Sequence, residues 1–336
     1  MRGEKAIVTG RHIFGFKFWL VVTLIWAFPS WAAQSLEPDP LAEINRDLIK
    51  EKVLKLGKAA QVAYDQLEIL PAVEASDKIS IIVKNEADKN AQDSAGVYKS
   101  YAFDLHKAGF FFAAEQLFYS AYRINATEVG EYHPFTLSSL NNLASNLNAQ
   151  ERFADAATHY EKVLRFRTLI LGSRHSATID SLANLGYTYN RLGLSDKARD
   201  LLDRAVNLSI ETRGRDHPES AKLMVLFADI LGNREDAPKS EAYLREALKT
   251  LTAVNGPYHV DTMSCLQRLG TNLFEQKKYS EAEPYFYHAW TRRQNKLGKD
   301  DRATEQSKES LIASLNSQGL YEEAEKIFGT GVLAAE

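Results

Sequence analysis

Residues 133–172 read HPFTLSSLNNLASNLNAQERFADAATHYEKVLRFRTLILG, and this stretch decides the fold. Leu140, Leu143, Ala144 and Leu147 fall at i, i+3, i+4 and i+7, one face of a helix. Ala156 and Tyr160 follow in a second apolar pattern of the same period, so a small residue on each helix lets the backbones approach while the aromatic ring fills the space beside them. Outward from this stretch the pattern recurs in columns. Gly130, Gly172, Gly214, Gly256 and Gly298 stand 42 residues apart. A second column reads His133, His175, His217, His259 and Asp301, and a third reads Thr136, Thr178, Ser220, Thr262 and Thr304. The second small column is Ala156, Ala198, Ser240, Ala282 and Ala324, with Tyr160, Leu202, Leu244, Phe286 and Phe328 beside it.

The turns have a physical reading. Glycine just past the second helix of each unit suits a left-handed helix terminus without a Cβ penalty. His133-Pro134 and His217-Pro218 place proline at a first helical position, and Asp301 is a good N-cap, so the histidine column marks the start of helix A. One helix pair leaves apolar faces that only stacked neighbours bury.

The Gly-x-x-His-Pro turn, the Leu-Asn-Asn-Leu-Ala run of Leu140 to Ala144 and the Glu-Ala-Glu-Pro-Tyr-Phe run of Glu281 to Phe286 together resemble the tetratricopeptide repeats of the kinesin light chain type. The resemblance covers about residues 130–330 and implies an all-α, right-handed α-solenoid of about six helix pairs. Full repeats occupy about 133–174, 175–216, 217–258 and 259–300, and a terminal repeat occupies 301–330, its helix B running from Tyr321 to Phe328. A divergent first repeat, about 93–132, carries Tyr98, Tyr101, Ala102 and Leu105, then Ala114, Phe118 and Ala121, so the array is expected to span residues 93–336. Residues 33–92 read as an N-terminal helical cap or linker: an extended leader from Glu37 to Pro40, a helix from Leu41 to Leu70 ended by Pro71, and a short β-rich run from Lys78 to Val83.

Arg2, Lys5, Arg11 and Lys17 precede an apolar run from Phe18 to Phe28, and Ser30 and Ala32 supply small residues, so residues 1–32 read as an export signal cut after Ala32. The chain is then expected to be exported, periplasmic or secreted; an uncleaved anchor with the repeats outside the cytoplasm is the alternative. Cleavage removes a net charge of +3 and takes the chain from −3 to −6, which disfavours nucleic acid as a partner, and no membrane span is expected afterwards. The single cysteine, Cys265, cannot form an intrachain disulfide.

No Walker loop, nucleophile elbow or zinc-protease motif is present, and neither an enzyme nor a cofactor or metal is expected. The histidine column does not read as a metal site, because successive units place those residues too far apart to share one ion. The hydroxyl column reads as capping or packing, with no histidine and carboxylate arranged around it. Cys265 reads as a small apolar residue.

The resemblance implies a concave groove lined by helix A, holding a protein or peptide partner. Aligned on the Leu-x-x-Leu-Ala frame, its lining is Asn141, Ser145 and Asn148, then Tyr187, Asn190 and Arg191, then Val225 and Asp229, then Gln267, Arg268 and Thr271, with Lys99, Phe103 and His106 upstream. Asn142 and Asn184 join them by resemblance, since amides both donate to and accept from an extended backbone. The third full unit departs: Leu223 to Phe227 is apolar nearly all round and Ser240 replaces alanine, which reads either as a hydrophobic ligand pocket or as a docking site for the N-terminal segment. The leading reading is a scaffold or adaptor holding a peptide or helix of an envelope or secreted partner. A structural subunit that self-associates through the solenoid ends comes second, and an enzyme or enzyme regulator last.

Overall fold

The computed structural model describes residues 40–232 and 236–328, and every regular element among them is helical. Two units are distinguished, Met1–Glu51 and Lys52–Glu336. Of the first, only the opening of α1 (Pro40–Asp65) is described. The expected export signal, residues 1–32, and the leader up to Asp39 lie outside the described residues.

The second unit continues α1 and adds α2 (Ile69–Lys89), then α3 (Ser94–Lys107) and α4 (Phe111–Glu128). Next come α5 (Pro134–Ala149), α6 (Phe153–Leu171), α7 (Ser176–Arg191) and α8 (Ser195–Arg213). The array closes with α9 (Pro218–Leu231), α10 (Ala237–Asn255), α11 (Val260–Glu275), α12 (Tyr279–Leu297), α13 (Arg302–Ser317) and α14 (Tyr321–Phe328). From α3 on, odd-numbered helices are the A members and even-numbered ones the B members, giving six pairs. From α2 on each helix packs on the next in sequence, and α5 touches α7, α7 touches α9, α9 touches α11 and α11 touches α13, so these A helices run side by side. This is an α-solenoid, whose core is distributed from pair to pair.

The columns explain the packing. The four apolar positions of α5, α7, α11 and α13 carry Leu at two places or more, while α9 has Met224, Phe227 and Leu231 there, and the small residue of helix B is buried: Ala156, Ala198 and Ala282 are at 0 % exposure. Gly186 and Gly270 mark the closest approaches. A Cβ at Gly186 would meet Leu202 at 2.8 Å, and one at Gly270 would meet the Phe286 ring at 2.7 Å. The four histidines are N-caps, with β-region backbone, and Nδ1 accepts the N–H two residues on: from Phe135 at 3.3 Å, Ala177 at 3.1 Å, Glu219 at 3.2 Å and Asp261 at 3.2 Å. Asp301 takes that role for α13, accepting from Ala303 at 2.9 Å. In the hydroxyl column Thr136 and Thr262 donate to the carbonyls of Gly130 and Gly256, tying the turn to the helix start.

The turn glycines differ from expectation. Gly172, Gly214, Gly256 and Gly298 have φ of 85 to 98° but ψ of 158 to 167°, not the left-handed helical value. This is a region open essentially to glycine alone, so the requirement is stricter than for a left-handed cap. Positive φ recurs instead at the A-to-B turns, in Gly109, Glu151, Gly193, Lys277 and Gly319, again in one column.

The N-terminal segment also differs. The first helix ends at Asp65, and Pro71 stands in the first turn of α2, where its missing N–H leaves no helical bond unmade. Lys78 to Val83 is helical, with Ile79 and Val83 buried four residues apart and Ile81 exposed. A 3.6-residue face against the array overrides the β-branched composition there. This hairpin packs on the first repeat: Tyr64 stacks on Phe112 at 4.6 Å, and the Gln61 side chain accepts the Phe112 N–H at 3.2 Å.

Candidate binding face

The residues expected to line a groove lie on the exposed side of the A helices, but most of their polar groups are already used. Asn184 Nδ2 donates to Asn141 Oδ1 at 3.2 Å, from α7 to α5. Asn148 Nδ2 donates to Thr188 Oγ1 at 2.8 Å across the same gap. Gln267 is buried: its Nε2 donates to Ser310 and its Oε1 accepts from Ser307, from α11 to α13. The amides expected to hold a peptide backbone are thus largely cross-repeat ties, each satisfying a group that stacking has taken from water.

Arg191 is similarly engaged. Its guanidinium lies over the Phe153 ring at 4.5 Å, donates to the Tyr187 hydroxyl at 3.2 Å and pairs with Glu151 at 3.7 Å. Ser145 is exposed but bonds Tyr160, whose hydroxyl burial pushes up to about 12. Asn142 and Asn190 are half-buried and make no side-chain hydrogen bond among the described residues. Upstream, His106 Nδ1 meets Asn146 Oδ1 at 2.9 Å, and Asn146 Nδ2 donates to the Phe111 carbonyl, so this histidine belongs to a joint.

Four of the expected residues do converge. Asp229, Gln267, Arg268 and Thr271 line one cavity of about 350 Å3, together with Ala228, Ser240, Leu244, Ser264, Asn272, Arg293 and Gln306. Ala228 and Ser240 stand in the small columns of the third full unit, and the Ser240 hydroxyl is turned inward onto the Ala228 carbonyl at 3.0 Å. The cavity's lining is mainly polar, so the apolar pocket expected from Leu223 to Phe227 is not formed. Leu223, Met224 and Phe227 are core, and the N-terminal hairpin packs on the first repeat rather than on this unit. At the rim Arg268 and Asp229 form an ion pair between α11 and α9.

Sequence reasoning missed Arg293, a helix B residue at the back of the cavity. It is buried, at 7 % exposure, and its Nη1 donates to the Ala303 carbonyl at 3.0 Å and to Ser307 Oγ at 2.7 Å. A signal was present: in the column Asn125, Arg167, Ser209, Leu251, Arg293 the three long polar residues stand fourteen before Ser139, Ser181 and Ser307, Leu251 stands before Cys265, and Ser209, before Leu223, bonds Ser220 instead. Asn125 to Ser139 at 2.8 Å and Arg167 to Ser181 at 2.9 Å are the same bond as Arg293 to Ser307.

Nothing in the face is arranged for covalent chemistry. Cys265 is fully buried, bonds the Leu244 carbonyl at 3.4 Å, and burial pushes its thiol up to about 12, far from a reactive thiolate. Among the described residues no three histidine, cysteine or acidic side chains are grouped to hold a metal, and no helix is long and apolar enough to cross a membrane.

Comparison with known proteins agrees with this architecture. One sequence model of the tetratricopeptide repeat matches residues 93–169 and 219–295, and a second matches residues 178–219. The clustered mitochondria protein homolog of Homo sapiens is 25% identical over 284 residues, which is 83% of this chain and 21% of that protein. This chain therefore spans about a fifth of the length of that curated relative. Among solved structures, BtubC (BKLC) from P. vanneervenii superposes with a TM-score of 0.55 at 22% identity, covering 64% of this chain and 86% of that one. The nearly identical tetratricopeptide-like repeats of a putative kinesin light chain from Podosopora anserina superpose with a TM-score of 0.51 at 18% identity, covering 60% of this chain and 94% of that one. At these identities the likeness is one of fold.

Proposed function

The chain belongs to the tetratricopeptide repeat family, and from that premise we propose that it is a scaffold that holds a segment of a protein partner along its helix A face. The observation that carries this reading is the convergence of Asp229, Gln267, Arg268 and Thr271 on one polar cavity of that face. Concave, polar-lined sites with a few fixed donors and acceptors are where orientation and specificity are set. The cross-repeat ties support the same reading from another side. A face whose amides are bonded to one another is rigid before a ligand arrives, which lowers the ordering cost of binding.

The partner is proposed to be an envelope or secreted protein, on the strength of the charged, apolar and small-residue order of residues 1–32. A reporter active only outside the cytoplasm, fused after residue 40, tests the location: an inactive fusion would overturn export, and activity that survives deletion of the Phe18 to Phe28 run would overturn its assignment to that signal.

Binding is tested with a photo-crosslinking residue placed at Tyr187 or Thr271 in cells, with exposed Leu169 on α6 as the comparison position. The expected result is one protein captured from both helix A positions and not from Leu169. Equal capture from all three, or capture from Leu169 alone, would refute the assignment of the face.

A further inference from the structure

The chain contains two buried arginines in the same helix B column, and they are equipped differently. Arg167 and Arg293 are at 8 % and 7 % exposure, and each spends Nη1 on a carbonyl and a serine of the next A helix. A buried guanidinium is costly unless a negative charge faces it. At Arg167 that charge is Asp180, thirteen residues on, which favours the guanidinium from beyond ion-pair distance while pairing with Arg213 at 3.5 Å. The position thirteen residues beyond Arg293 is Gln306, a neutral amide, and there the cavity opens.

Arg293 has a carboxylate at similar standing, Asp301, but neither it nor Asp229 pairs with the guanidinium. Asp229, the one acid in the cavity lining, is paired with Arg268. Asp301 favours the Arg293 charge from outside the lining, but its carboxylate caps α13 through the N–H groups of Ala303 and Thr304. Among the described residues no carboxylate lies within ion-pair distance of Arg293. Its Nη2 and Nε remain over for a guest, and Gln306 offers an amide donor in the same lining. The lining carries two cations against one anion.

We propose that this cavity seats one aspartate or glutamate side chain of the held segment, with Arg293 as its buried counter-charge. The inference rests on the reading that the helix A face holds a protein segment, and it names the chemistry of that segment at one position. The carboxylate is assigned to a side chain; a chain terminus would bring the same chemistry, and the test below separates the two.

The test uses the purified full chain and a library of random peptides of about twelve residues, long enough to cross several A helices, each tethered through its C-terminus so that only side chains supply carboxylates. The enriched sequences are expected to share one fixed aspartate or glutamate. Changing that residue to its amide weakens binding by about 10- to 100-fold, the range for a charge-assisted hydrogen bond. Gln306→Asp puts a carboxylate where Asp180 stands and is expected to abolish the acid preference while raising the melting temperature. Arg293→Met should lose the same preference, and Gln306→Asp keeps the test decisive if Arg293→Met does not fold. Enriched peptides with no fixed acid, or an acid preference that Gln306→Asp leaves intact, would overturn the carboxylate seat and leave the binding face standing. Peptides that bind only with a free C-terminus would overturn the side-chain occupant. No peptide enriched, or enrichment indifferent to changes at Tyr187 and Thr271, would overturn the binding face itself.

Discussion

Gln276, just past α11, donates from Nε2 to the Glu241 carboxylate on α10 at 3.0 Å, bridging two repeats. Gln150 to Glu115 at 2.8 Å and Gln318 to Glu283 at 3.0 Å are the same bond in other units. Two residues further on, Lys278 reaches Glu241 at 2.9 Å and Arg152 reaches Glu115 at 2.8 Å, while the joint between them inverts the charges as Arg199 and Asp236. The second joint has neither, carrying Ala157, Leu192 and Leu194 in those columns.

Glu241 makes the acid limb of stability predictable. Burial alone would raise its pKa, but hydrogen bonds from Lys278, Arg245 and Gln276 outweigh that and bring it from 4.5 to about 2. A folded-state value below the unfolded one means the joint's contribution is fully present above about pH 4.5 and is lost as pH falls towards 2. Glu241→Gln should therefore lower stability on the order of 2 kcal/mol at neutral pH and flatten the fall between these values, read by urea unfolding at a series of pH values. A pH profile parallel to that of the parent chain would refute the joint.

Gly270 has no room for a methyl group, since a Cβ there meets the Phe286 ring at 2.7 Å. Gly270→Ala is expected to cost about 1–3 kcal/mol. Phe286→Leu in the same chain, which restores the Leu202 and Leu244 solution of the neighbouring repeats, should recover most of it. Thermal melts of the single and double variants check both.

Lys277 holds φ at 62° in a column where Gly193 and Gly319 have φ of 77 and 78°. Its exposed side chain spends nothing on the turn. Lys277→Gly removes a left-handed strain that exceeds the added unfolded-state entropy, and should stabilise by about 0.5–1 kcal/mol, seen as a higher melting temperature.

His175 caps α7 through Nδ1, so only the neutral imidazole can serve. His175→Ala should cost about 1 kcal/mol. His175→Asp, the residue that caps α13 at Asp301, should restore or exceed the original stability, because a carboxylate also complements the helix dipole. Denaturant midpoints of the two variants decide whether the cap or the ring matters.

Asn184→Ala breaks the tie to Asn141 and should cost about 0.5–1.5 kcal/mol of stability. Capture of a partner from Tyr187 is expected to persist, since the amide serves the array rather than the ligand. Loss of capture at unchanged stability would return Asn184 to the ligand-contacting set.

The repeat was legible because the same local physics is written in every unit: a cap, a small residue opposite a large one, a glycine in a backbone region other residues avoid. What was not legible depended on partners outside the unit. Ile79 to Val83 reads as a strand by composition, and only the array beside it decides for a helix with Ile79 and Val83 inward. Asn141 and Asn148 read as groove-lining amides for a ligand because their partners, Asn184 and Thr188, are 43 and 40 residues away. Arg293 was passed over because helix B was read for packing alone, although its pairing with Ser307 is written in the column it shares with Arg167 and Ser181.

In the described array an A helix packs on its own B helix, on the preceding B helix and on the next A helix, and on little else. Excising one unit of 42 residues, or duplicating one, therefore brings together ends shaped for each other. Such a chain can lengthen or shorten over evolutionary time by whole units without a new interface having to be invented. The opposite charge order of the Arg199–Asp236 and Glu241–Lys278 joints means that exchanging those two units would set like charges against each other there.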